Sequence, residues 1–390
     1  MADKAFITPK VLRWARESAR MSLETAAAKV HTTPEKLNEW EEGTQQPTVR
    51  QAETLAKGYR RPFALFFLPE IPRDFQPLQD FRTKNASPLG TASVFIIREM
   101  QQKQAWLHDV YEDSGEKPLP FVGSFTLSSS PHQVANSILA LLEINPLSYS
   151  TDSPIREWIT KAEQRGIFIS RTSFIHTRMK IDSEELQGFT IADSYAPFVF
   201  INSGDWDAPQ LFTLVHELAH IWIAQSGISN ATDSLLRGKN RFHPVELFCN
   251  QVAANALMPT ELMRALPRIT FQSGNAVFKT AKNIGISSFA FLVRALELDL
   301  ISLDKYRELK NAADADFKDF LKKEAAKKER QKDKEGGPNP YLLRLNKNGR
   351  LFTQVVLDAF RSGSLPPSQA SNLLNTKVTS FSKFEDFLYK

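Results

Sequence analysis

Along residues 8–60 the apolar positions recur at three- and four-residue spacing, in short blocks broken by capping residues and glycine. In "TPKVLRWARESARM" Val11, Leu12, Ala15 and Met21 fall near one helical face. Ser22 stands where it can cap "LETAAAKV", with Glu24 in the first turn. In "TTPEKLNEWEEG" Thr33 takes the N-cap position, Pro34 the first helical position, and Gly43 ends the helix. "QQPTVRQAETLAKGY" supplies one more helix. The block "RRPFALFFLPEIPRDFQPLQDFRT" has too much proline for a long helix. It predicts an extended segment pinned by Phe63, Phe66, Phe67 and Phe75. Helical periodicity returns in "ASVFIIREMQQKQAWLHDVYED" and "PHQVANSILALLEI".

From about residue 154 the pattern changes. "IREWITKAEQRG" predicts a helix ended by Gly166. "IFISR", "LQGFTIAD" and "PFVFIN" are short and rich in β-branched or aromatic residues, and they predict strands. The helix "FTLVHELAHIWI" follows. Beyond residue 305 "DFKDFLKKEAAKKERQKDKEGGPNP" predicts a solvated helix ended by Gly336 and Gly337. "NGRLFTQVVLDAFRSGSLPPSQASNLLN" and "FSKFEDFLYK" predict three short helices. The expected fold is α+β and mostly helical. Its expected parts are a helix-turn-helix domain (1–66), a helical connector (67–150), an α+β domain around the histidine helix (151–304), a charged helical linker (305–337) and a small helical C-terminal subdomain (338–390).

Composition narrows this picture without changing it. At 390 residues, 42% hydrophobic and 24% charged, the chain has material for two or three soluble domains. Its single cysteine, Cys249, excludes an intramolecular disulfide and fits a reducing compartment. "MADKAFITPK" has no apolar signal core, and no run of about 18 apolar residues occurs. A cytoplasmic protein without membrane contact is expected. The net charge of +5 permits nucleic-acid contact without requiring it.

The chemistry lies in "HELAH". Residues four apart share a helical face, so His216 and His220 can point at one ion. Leu211, Leu214, Leu218 and Ile221 fall on the other side. H-E-x-x-H is the zinc-peptidase signature, because imidazole suits zinc and tetrahedral geometry needs only three protein groups plus water. Glu217, next to the first histidine, is the expected general base. The metzincin continuation fails, since Ile223 and Ser226 stand where Gly and His are needed. The third ligand is therefore expected further on. Glu246 opens the helical pattern "VELFCNQVAANALMP", with His243 and Asp233 as competitors. Asn250, one turn on, can brace a ligand through a hydrogen bond. Ala253, Ala254 and Ala256 would let this helix approach its neighbour closely. Tyr195, His176 and His243 are candidate oxyanion donors, and a strand edge within Phe189–Asp193 is the expected place for an extended peptide.

Two resemblances follow. "SLETAAAKVHTTPEKLNEWEEG" resembles the Xre (Cro/C1-type repressor) family, with a small residue at Ala27, a turn near His31 and the ending Trp40 to Gly43. That resemblance implies double-stranded DNA as a partner, with Pro34 to Glu41 in the major groove and Thr33, Lys36 and Asn38 among the contacting residues. Glu35, Glu39, Glu41 and Glu42 outnumber Lys36 there, and phosphate repels them. Arg13, Arg16, Arg20, Arg50, Arg60 and Arg61 are the cations available to hold the backbone. "HELAHIW", "SGIS" and "VELFCNQVAANALMP" together resemble the ImmA/IrrE metallo-endopeptidases, and "PLQDFRT" matches the connector of members fused to a repressor domain. This implies a zincin-like domain with zinc on His216, His220 and Glu246, and Glu217 as the catalytic residue. It also implies a protein partner. That partner is a transcriptional repressor to be cut, or a cognate toxin to be neutralised by binding, with the zinc structural or the activity latent. A homodimer remains an option.

Overall fold

The computed structural model describes residues 3–82, 86–146, 148–150, 153–176, 179–229, 243–332 and 339–389, with residues 317 and 319–332 as backbone only. Asp233 and the glycines Gly336 and Gly337 lie outside the described residues. In chain order the described strands are β1 (Gln79–Asp80), β2 (Phe168–Thr172), β3 (Phe174–His176), β4 (Met179–Lys180), β5 (Gly188–Ile191), β6 (Phe198–Asn202) and β7 (Gly227–Ser229). The chain divides into two compact units. One is Met1–Pro77 with Ser87–Gln102 and Phe174–Glu185; the other is Leu78–Ala86 with Lys103–Ser173 and Leu186–Lys390.

The first unit opens with α1 (Pro9–Ser18), α2 (Leu23–Lys29), α3 (Pro34–Glu42) and α4 (Val49–Tyr59). Ser22, Thr33 and Thr48 accept hydrogen bonds from the backbone N–H groups of Thr25, Lys36 and Gln51. Such caps contribute about 1 kcal/mol each. Gly43 closes α3 at φ +81°, where a side chain would be strained. Leu12, Ala26, Leu37, Trp40 and Leu55 fill the interior. Residues 63–67 depart from the expected extended form. They make a short 3-10 helix, because Pro62 and Leu65 offer carbonyls three residues back to Leu65 and Leu68. Of the four phenylalanines only Phe66 is buried; Phe67 and Phe75 are exposed. The helix α5 (Thr91–Asp113) belongs to this unit up to Gln102.

The second unit holds a five-stranded sheet of order β1-β7-β5-β6-β2. β2 runs parallel to β6, β5 is antiparallel to both β6 and β7, and β1 is parallel to β7. The segment Phe189–Asp193 is therefore no edge: β5 is hydrogen-bonded on both sides. The reason is β7, whose three residues are too few to show an alternating pattern. The helices α6 (Pro131–Leu142), α7 (Pro154–Gln164), α8 (Asp207–Trp222) and α9 (Pro244–Leu257) come next. α8 lies on β5 and β6, with α6 and α9 packed against it. Every residue from Gln210 to Trp222 is buried, so the polar side of α8 faces the interior. Ala253, Ala254 and Ala256 are buried on α9, and their small size allows the close approach. α10 (Thr260–Ala265), α11 (Gly274–Ile284), α12 (Ser288–Glu297) and α13 (Leu303–Lys332) complete the helical side. Among the described residues no helix is long and apolar enough to cross a membrane.

The C-terminal helices α14 (Pro340–Asn348), α15 (Arg350–Arg361), α16 (Pro367–Leu374) and α17 (Phe381–Leu388) close the sheet at β2. Ser170 donates to the Lys347 carbonyl at 2.6 Å, and a Cβ at Gly349 would meet the Ile169 carbonyl at 2.5 Å. Lys103, buried on α5, donates to Asn348 at 2.8 Å. Glu163 on α7 accepts from the Leu351 N–H at 3.2 Å, at the start of α15. Burial pushes the Glu163 carboxyl up to about 7, against the pull of the Leu351 and Arg350 amides. A raised folded pKa means that the stability tied to this proton is complete below pH 4.5 and is lost as pH rises through about 7. Glu163→Gln should remove that dependence. Thermal melts should show a flatter profile from about pH 4.5 to 7 and a variant more stable at pH 8 by up to about 3 kcal/mol. An unchanged profile would place the titration on another group.

Candidate metal centre

α8 places His216 and His220 one turn apart, and α9 presents Glu246 from its first turn. The two Nε2 atoms are 3.1 Å apart. Glu246 closes the triangle, with Oε2 3.4 Å from His216 Nε2 and Oε1 3.2 Å from His220 Nε2. Ligands held tetrahedrally about 2.0–2.2 Å from one ion stand about 3.3 Å from one another. The triangle thus has the size of a single zinc-like coordination shell.

The hydrogen bonds behind the triangle fix which nitrogens face it. His220 Nδ1 lies 3.2 Å from the Gln225 carbonyl, which can only accept, so Nδ1 carries the proton. His216 Nδ1 meets Asn250 Oδ1 at 2.9 Å. Both rings then turn an Nε2 lone pair inward, the orientation that metal ligation uses. Burial works against a charge on Glu246, yet the His216 and His220 rings outweigh it and hold the carboxyl down at about 2. For His216 burial favours the neutral ring, and the Glu246 carboxylate overrides it and raises the pKa. Glu246 Oε1 is buried and accepts no hydrogen bond, although His220 Nε2 is at ion-pair distance. A buried carboxylate oxygen without a partner costs on the order of 1–3 kcal/mol. A divalent cation in the triangle would remove that cost, with both Nε2 atoms as deprotonated ligands.

Glu217 points elsewhere. Its Oε2 accepts from Thr190 Oγ1 of β5 at 2.7 Å, and its Oε1 accepts from Ser229 Oγ of β7. Burial raises its pKa, against the His220 and His216 rings and the two hydroxyls. β5 must come close for this to happen. A Cβ at Gly188 would meet Thr213 Cγ2 at 2.7 Å and Glu217 Oε1 at 2.8 Å. Thr190, Ser229 and Gly188 escaped the sequence reading. The signal for Ser229 is the "SGIS" stretch that follows the motif.

The other expected residues fall in varied places. His243 is the N-cap of α9, where its Nδ1 accepts from Val245 N–H at 3.3 Å, and it is not part of the triangle. Tyr195 packs edge-on against His108, whose Nδ1 pairs with Asp193 Oδ2 at 2.9 Å. His176 lies on β3 of the first unit. Thr33, the N-cap of α3, and Lys36 on it are exposed, whereas Asn38 donates to Glu42 at 2.8 Å. Glu41 does not face solvent. It is 3% exposed and Arg16 forks onto it at 2.7 and 2.9 Å. Arg60 is paired with Glu99 and Arg61 with Asp74. Of the six arginines, Arg20 and Arg50 remain exposed.

Residues 162–295 match the family model of the IrrE N-terminal-like domain, a peptidase family, and residues 10–65 match that of a helix-turn-helix domain. No curated protein matches the chain. The two matches put a helix-turn-helix domain ahead of a metallopeptidase-like domain in one polypeptide.

Proposed function

We propose that this chain, a helix-turn-helix domain joined to an IrrE N-terminal-like domain, is a regulatory zinc endopeptidase that cuts a DNA-associated protein such as a transcriptional repressor. The observation that carries this reading is the buried triangle of two inward Nε2 atoms and an ionised carboxylate, with a second carboxylate beside it. Zinc held by His216, His220 and Glu246 would polarise a peptide carbonyl and acidify water. Asn250 and the Gln225 carbonyl orient the two rings. Glu217, outside the triangle, takes the proton from the attacking water and returns it to the departing amide nitrogen. The α2–α3 pair supplies a DNA-reading frame. The Arg16–Glu41 pair takes one charge of each sign out of that surface, which leaves the exposed Arg20, Arg50 and Lys36 as cations for phosphate.

A second reading has its own support. Both oxygens of Glu217 are engaged by protein hydroxyls, and the group is fully buried. That is also how a structural carboxylate is held, and it favours an antitoxin or repressor that acts by binding. One experiment addresses both domains. The intact protein is incubated with a repressor bound to DNA from the gene's own upstream region, at several salt concentrations and with or without a zinc chelator. Cleavage that stops with chelator, and DNA retention that falls steeply with salt, are expected. An intact repressor under every condition tested would remove the peptidase reading.

A further inference from the structure

The geometry points to a second role for the connector: residues Leu78–Arg82 act as a built-in pseudosubstrate. They occupy the edge of the sheet where an extended peptide docks, and they cover the metal centre. The site then opens when a protein segment bearing an aromatic side chain takes their place. This rests on the peptidase reading of the site.

With β5 internal, the next strand outward beside Glu217 is β7, whose Ser229 holds that carboxylate. The outer side of β7 is not bare. Gln79 and Asp80 pair with Gly227 and Ile228, and Phe81 N–H donates to the Ile228 carbonyl at 3.0 Å. Phe81 is 1% exposed. Its ring stacks on the ligand His220, with centroids 5.5 Å apart and planes 19° from parallel, and reaches His243 at 4.9 Å. Gly227 makes room for it: a Cβ there would stand 2.1 Å from the Phe81 ring and 2.9 Å from the Gln79 carbonyl. β7 is thus shaped to receive a backbone and an aromatic ring together. This is peptide recognition by strand addition, with one pocket for one side chain.

The burial shows why something must move. His216, Glu217 and His220 are 0% exposed and Glu246 3%. None of the four is open to a substrate carbonyl, and the Phe81 ring on His220 is one of the groups packed over them. The covering strand is built to yield. It contributes two ladder residues, and both Gln79 and Asp80 are exposed. The Arg82 side chain, 3% exposed, forks onto Asp80 within the same segment and would leave with it. So short a strand can be exchanged for an incoming segment that pairs along more of β7. Alternation puts Asp80 on the face opposite Phe81.

The test follows release of zinc from the full-length, zinc-loaded protein to a chromophoric chelator. Phe81→Ala and Gly227→Ala should each release zinc about tenfold faster or more, the factor carried by losing one buried aromatic ring. Zinc stoichiometry and far-UV circular dichroism should stay unchanged. The peptide PLQDFRT, added to Phe81→Ala, should slow release again, and PLQDART should not. Folded variants that release zinc at the wild-type rate would overturn the proposal. Should neither variant fold, an Asp80→Cys, Ile228→Cys pair decides. Ladder partners stand within disulfide reach. Oxidation should slow release below wild type and reduction restore it, while equal rates in both states overturn the proposal. A wild-type protein that takes up no zinc would instead overturn the metal-centre reading, a different and separable result.

Discussion

Glu217→Gln should keep its zinc and its fold while peptide-bond cleavage falls by about 10²–10⁴-fold, the usual contribution of a general base. Glu217 is outside the triangle of ligand atoms, so metal content should not depend on its charge. Glutamine keeps the side-chain shape, and its one oxygen still accepts from Thr190 or Ser229. What is lost is the group that accepts the water proton. Metal analysis, a thermal melt and cleavage of the repressor, run on one preparation, separate these effects. In the cell the variant should bind its partner without cutting it, and the controlled genes should stay off. If the chain acts as an antitoxin by binding, the variant should neutralise the toxin as well as wild type does. Wild-type function in Glu217→Gln would end the peptidase reading.

His216→Ala should lose the metal. In small zinc domains the ion contributes on the order of 10–16 kcal/mol, so dropping one of three protein ligands should weaken binding by on the order of 10²–10⁴-fold. The effect reaches the fold as well. His216 joins α8 to α9 through Asn250 at 2.9 Å, and its ring fills a fully buried site. Removing it should lower the melting temperature of the zinc-loaded protein, and added zinc should no longer raise it. Metal analysis and melts with and without chelator read both effects. Full zinc occupancy in His216→Ala would move the centre away from the triangle. Set side by side, Glu217→Gln tests chemistry and His216→Ala tests both chemistry and architecture.

Much of the α-helical plan was legible because its signals are local. Ser22, Thr33 and Gly43 stop and start helices by their own backbone and side-chain chemistry, and the structure uses them in those roles. The motif on α8 was legible for the same reason: a spacing of four is a face. Glu246 was legible as a carboxylate opening a helix with small residues at Ala253, Ala254 and Ala256. The sheet was harder. β2, β5 and β6 have enough residues to show their character, whereas β1 and β7, with two and three, do not. Strand order is not a local property either. Nothing in "LQGFTIAD" says that both its sides are paired, so the expected edge at Phe189–Asp193 proved internal. Thr190 and Ser229 were missed because their role appears only when β5, β7 and α8 are brought together. Phe81 is a lone aromatic in a proline-flanked connector, with no local signal, and it stands out only through its ring against His220.

Gln79–Phe81 cover the outer side of β7, and the Gly349 turn lies against β2. Unpaired strand edges recruit other strands, which is how soluble proteins begin to aggregate. Lifting the connector would bare such an edge, on a strand whose Gly227 and Ile228 offer no charge to repel a second copy. An open form would therefore be a colloidal hazard as well as an accessible one. A single exchange, in which the incoming segment replaces the departing one, would keep that edge covered throughout.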